Sequence, residues 1–97
     1  MSELDQVVHQ PTRLRILVVL SEVDTADFRF LQNTLSLTNG NLSSHTRYLE
    51  DAGYIEVLKT FQGRIPRTTY SITSLGRSRL EAYWRAIDEI RGTPSTR

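Results

Sequence analysis

The sequence predicts an α+β, mainly helical fold, with a three-helix core, a two- to three-stranded β-hairpin and a long closing helix. Three observations carry this. Residues 38–53 read as a capped polar helix start, a thin apolar stripe and a glycine stop. Two stretches rich in aromatic and β-branched residues follow, Tyr54 to Phe61 and Thr68 to Ile72. Beyond Thr73, apolar residues recur at Leu80, Tyr83, Ile87 and Ile90 at steps of three and four, the helical spacing.

The elements follow in order. Near the start, Leu4, Val7 and Val8 sit at i, i+3 and i+4 behind a Ser2 cap, which predicts a short helix. Pro11 fits the first turn of a new helix, where its missing N–H costs nothing, and this helix runs to about Ser21. Leu14, Ile16, Leu17, Val18, Val19 and Leu20 make it apolar over most of its circumference, so it is expected to be central. Asp24-Thr25-Ala26 interrupts the pattern and has room for a short strand. Asp27 is placed to cap a second helix carrying Phe28, Leu31 and Leu35 on one side. A four-residue turn around Ser36-Leu37-Thr38 leads to the third helix, capped by Thr38 and stopped by Gly53 in a left-handed conformation. Gln62-Gly63-Arg64-Ile65-Pro66-Arg67 reads as the turn-like joint of a hairpin, with Pro66 stiffening its tip. Thr73 caps a last helix over residues 74–91, leaving 92–97 as a flexible tail. Residues 1–91 are expected to form a single domain.

Composition narrows the function. Ninety-seven residues suffice for one core without covalent staples. There is no cysteine, so disulfides, zinc–thiolate sites and thiol redox sensing are excluded. The longest apolar run, Ile16 to Leu20, is far too short to span a membrane, and the acidic start Met1-Ser2-Glu3-Leu4-Asp5 does not read as a signal peptide. The expectation is a soluble, cytoplasmic protein without a membrane partner. Net charge is +1, but it is unevenly spread. Residues 1–58 sum to −4, residues 59–79 carry +5 without one acid, and the remainder is neutral. A basic segment on a near-neutral chain points to a local anionic partner.

The order helix, short strand, helix, helix, strand, strand, helix is the winged helix-turn-helix plan. The residues also resemble a family. Thr38-x-Gly40-x-Leu42-Ser43-x-His45-x-x-x-Leu49-Glu50-x-Ala52-Gly53-Tyr54-Ile55 resembles the recognition-helix signature of small winged-helix transcription regulators of the MarR/ArsR-like superfamily. Lys59-x-Phe61-x-Gly63-Arg64-x-Pro66-Arg67-Thr68-x-Tyr70-x-Ile72-Thr73-x-x-Gly76-Arg77 resembles their wing and closing helix, and His9-Gln10-Pro11-x-Arg13-Leu14-Arg15-Ile16-Leu17 their first core helix. The resemblance implies a homodimeric regulator that binds double-stranded DNA at a pseudo-palindromic operator. Three features depart from it. Thr46 stands where relatives carry a leucine, and its hydroxyl is expected to bond a carbonyl one turn earlier. The metal-binding cysteines of the ArsR-like branch are absent, and the chain is shorter than MarR-like proteins that build a ligand pocket. No small-molecule effector is indicated.

On a helical wheel with Leu42 inward, Thr46 and Leu49 share its side. Ser44, Arg47 and Asp51 point away, Asn41, Ser43 and Tyr48 lie on the flanks, and His45 lies near the core edge. Amide and guanidinium groups pair bidentately with adenine or guanine edges in the major groove, and hydroxyls suit bases or phosphates. The candidate DNA-binding residues are therefore Asn39, Gly40, Asn41, Ser43, Ser44, His45, Arg47 and Tyr48, with Lys59, Arg64 and Arg67 on the wing reaching backbone or minor groove. Glu50 and Asp51 repel phosphate at the far end, so only the leading half is expected to enter the groove. Arg13 and Arg15 have the acids of the first half as alternative partners.

Leu80, Tyr83, Trp84, Ile87 and Ile90 of the last helix are the candidate dimer interface, because so small a core is not expected to cover them all. The competing reading folds this stripe back onto the first helix. An enzyme is not expected. Only His9 and His45 are available as neutral-pH bases, with no nucleophile or acid in a catalytic spacing, no phosphate-cradling glycine loop, and no metal or cofactor site. The alternative to a regulator is a winged-helix protein–protein module without DNA binding.

Overall fold

The computed structural model describes residues 3–92. The chain folds as α1 (Pro11–Ser21), β1 (Ala26–Asp27), α2 (Phe28–Leu35), α3 (Asn39–Asp51), β2 (Ile55–Gln62), β3 (Ile65–Ile72) and α4 (Ser74–Arg91). This is the α+β, winged-helix architecture that the sequence predicts.

Each helix begins where its cap sits. The Gln10 side chain accepts from the Arg13 N–H at 2.7 Å, with Pro11 opening α1. Asp27, Thr38 and Thr73 do the same for α2, α3 and α4, each accepting from the N–H three residues on. Gly53, at φ +81°, follows the end of α3, a left-handed position that glycine adopts without a Cβ clash. The turn between α2 and α3 is one residue shorter than expected and turns on Ser36, a non-glycine residue at φ 54°.

Helix α1 is the hub of the core. Ile16, Leu17 and Leu20 are wholly buried, and the helix touches α2, α3, α4 and β3. Leu31, Leu35, Leu42 and Leu49 close around it from α2 and α3. Thr46 is buried on the same face, and its hydroxyl donates to the Leu42 carbonyl at 2.8 Å, as expected. The three strands are antiparallel in the order β1-β3-β2. Gly76 lies where α4 starts against the beginning of β2. A Cβ there would come within 2.1 Å of the Tyr54 carbonyl oxygen, so only glycine lets the helix sit this close.

Three local expectations are corrected. Leu4, Val7 and Val8 do not form a helix. The Asp5 carboxylate accepts from the Val7 N–H at 2.8 Å and its carbonyl from the His9 N–H at 2.7 Å, giving a turn that still buries Val8. The Ser2 cap lies outside the described residues. The hairpin joint shrinks to Gly63-Arg64, because Gln62 pairs with Ile65 and Phe61 with Pro66. Positive φ falls on Gly63 alone of the two, the pattern of a II′ turn. Pro66 is thus a strand residue, tolerated because β1 is too short to pair with β3 at that point. Finally, Leu80 and Tyr83 are buried in this chain's own core, so the fold-back reading holds for them and they leave the candidate dimer face. Gly92 ends α4 at φ +71°, and residues 93–97 of the expected tail lie outside the described residues.

Candidate nucleic-acid interface

Helix α3 begins at its polar end because Thr38 holds the first turn, accepting from the Asn41 N–H at 3.1 Å. Asn39, Gly40, Asn41, Ser43, Ser44, Arg47 and Tyr48 are all exposed along it. Unpaired N–H groups at a helix start attract anions. Asn39 is also tied to α2, its side-chain oxygen accepting from the Gln32 amide, which fixes the angle between the two helices.

Alternation along the hairpin sends Val57, Lys59 and Phe61 of β2, with Tyr70, Thr68 and Pro66 of β3, to one face. The inner part of that face looks onto α3. Ser43 and Arg47 of the helix, and Lys59 and Thr68 of the hairpin, line one open groove, with Glu50 as its acid. At its floor, Tyr70 is buried, and this burial raises its phenol pKa. Arg64 occupies the exposed turn beyond the groove.

Three arginines are placed otherwise than expected. Arg67 points to the opposite face of the hairpin and pairs with Asp27 at 3.6 Å. One Asp27 carboxylate oxygen therefore caps α2 while the other holds the hairpin through Arg67 of β3. Arg13 does not seek the acids of the first half. It donates to the Val7 carbonyl at 2.7 Å and the Gln6 carbonyl at 3.1 Å, and its guanidinium lies over the Tyr48 ring, 4.1 Å from the centroid. It also approaches His45 Nδ1 at 3.5 Å. Burial first, then the Arg13 charge, hold the half-buried His45 below the usual imidazole range. Arg15 donates to the Leu35 carbonyl at 3.1 Å. The role of Arg13 on this surface left no periodic signal in the sequence.

On α4, Trp84 and Ile87 are half-buried and Ile90 is exposed. Among the described residues no group of three His, Asp or Glu side chains could hold a metal ion, and no helix is long and apolar enough to cross a membrane.

A family model described as a winged helix DNA-binding domain matches residues 12–90. The chain belongs to this family. As a winged-helix DNA-binding domain it falls in a class defined by nucleic-acid recognition rather than catalysis. It is 33% identical over 79 residues to the uncharacterized protein MJ0432 of Methanocaldococcus jannaschii, covering 80% of this chain and 85% of that one. A solved transcriptional regulator homologue from Pyrococcus horikoshii OT3 superposes with a TM-score of 0.84 at 32% identity, over 91% of this chain and 87% of the other. The ytfH putative transcriptional regulator of Salmonella typhimurium matches the winged-helix fold with a TM-score of 0.71 at 22% identity, covering 90% and 81%.

Proposed function

We propose that this chain is a cytoplasmic transcription regulator that binds double-stranded DNA sequence-specifically as a homodimer. The leading half of α3 enters the major groove, where Asn41 and Arg47 read base edges and Ser43 and Ser44 meet phosphate or base. Lys59 contacts the backbone and Arg64 reaches the backbone or minor groove. Arg67, neutralised by Asp27, contributes little direct contact. One observation carries the reading: Ser43 and the Arg47 guanidinium of α3 share a groove with Lys59 of the hairpin, and the leading turn of α3, with Asn39 and Asn41 exposed, carries no acid. Membership of a DNA-binding family and likeness to a solved transcriptional regulator homologue support it.

Trp84, Ile87 and Ile90 form the self-association face, since they follow the core stripe of α4 past the point where Leu80 and Tyr83 are buried. Two linked modules gain from effective concentration. Their reading helices would lie about 34 Å apart, on successive major grooves. Selection of bound duplexes from a random pool tests this. A two-fold symmetric motif with half-sites one helical turn apart is expected. Failure to enrich any duplex would favour a protein–protein module instead.

A further inference from the structure

The outer half of the wing carries apolar side chains that no core explains. Phe61 is 72% exposed and Ile65 69%, on either side of the Gly63-Arg64 turn. Single exposed apolar residues need no explanation, but here they stand at a two-stranded tip whose cations are Lys59, Arg64 and the Asp27-paired Arg67. Phe61 pairs across the strands with Pro66, and both lie on the face that carries Lys59 and Thr68 to the groove beside α3. The apolar pair thus continues the surface on which Arg47 and Ser43 stand.

The chemistry selects the occupant. A minor groove has apolar deoxyribose walls, phosphate rims and a width of about 6 Å. It suits a narrow cationic tip bearing one flat apolar side chain. A second copy pairing along the open side of β3 is disfavoured. Both copies would bring the same positive charge, and Pro66 on the open side of β3 has no N–H to offer a new strand.

Building on the DNA-binding reading above, we propose that Phe61, backed by Pro66, is a wedge that enters the minor groove beside Arg64 and partly unstacks one base step. Apolar wedges act this way in minor-groove binders. The cost of unstacking depends on the step, and pyrimidine–purine steps yield most easily. Phe61 is therefore a specificity-determining residue. It makes the protein prefer a TpA over an ApA step under each wing, outside the bases that α3 reads.

The test uses the selected duplex with TpA or ApA under each wing and the fluorescent analogue 2-aminopurine at that adenine. The wild-type protein is expected to raise the fluorescence on binding and to favour TpA about tenfold. Phe61→Ala, whose side chain is exposed and leaves the core intact, should keep the footprint over both half-sites but lose the fluorescence rise and the TpA preference. Phe61→Leu should retain part of both. A wild-type footprint with unchanged fluorescence, or a TpA preference that survives in Phe61→Ala, overturns the wedge while leaving DNA reading intact. The absence of any footprint overturns both.

Discussion

The guanidinium of Arg13 lies 4.1 Å from the centroid of the Tyr48 ring, joining α1 to the exposed flank of α3. The same group holds the amino-terminal turn through the Gln6 and Val7 carbonyls, so one side chain ties together α1, α3 and that turn. Arg13→Ala should lower unfolding free energy by about 2 kcal/mol, from the lost charged hydrogen bonds and the cation–π contact. Arg13→Lys should recover little, because one ammonium cannot stack and serve two carbonyls in a fixed fork. Urea denaturation of the three proteins measures this.

His45 stands against the same guanidinium, at 3.5 Å. Burial, and secondarily Arg13, lower its pKa from 6.5. The unfolded chain therefore binds this proton more readily than the folded one, so stability present above about pH 6.5 is lost as pH falls through the folded value. Proton titration by NMR should place His45 below 6.5 in the wild type and closer to it in Arg13→Ala. An unmoved value in that variant would mean that Arg13 has no electrostatic hold on His45.

Gly40 is the second residue of α3, and a Cβ there meets nothing within 4 Å. Its φ is not in the left-handed region. Gly40→Ala should therefore stabilise the fold by about 0.5–1 kcal/mol through helix propensity. If the helix start lies against DNA, the same change should weaken binding. Melting and binding that move in opposite directions are the expected result.

Tyr54 is buried and donates to the Asp5 carboxylate. Burial first, then the Asp5 bond and charge, push its phenol up to about 12. The folded chain thus keeps a proton that the unfolded chain loses near pH 10. Stability should fall between about pH 10 and 12, and Tyr54→Phe should flatten that fall. Alkaline unfolding curves of both proteins provide the comparison.

What was legible in the sequence was local. Asp27, Thr38, Thr73 and Gly53 announced their helix ends because capping needs only neighbours three residues away. Thr46 announced its bond to Leu42 for the same reason. Spacing could not separate a helix from a turn at Leu4, Val7 and Val8, since both bury Val8. Ile65-Pro66 gave no strand signal, because proline is admitted there only by the open edge that the short β1 leaves. The α4 stripe was visible, but periodicity does not say whose surface covers it, and Leu80 and Tyr83 proved to be covered from within. The Arg67–Asp27 and Arg13–Tyr48 contacts join residues far apart in sequence, and only the assembled fold brings them together.

The most direct test of the central claim is the salt dependence of binding to the selected duplex, for the wild type and Arg64→Ala. The logarithm of affinity should fall linearly and steeply with the logarithm of salt concentration, and Arg64→Ala should flatten that slope by about 1 while weakening all sequences alike. Arg47→Ala should instead lose about 1–3 kcal/mol on the selected sequence only. An affinity that does not change with salt would contradict the account.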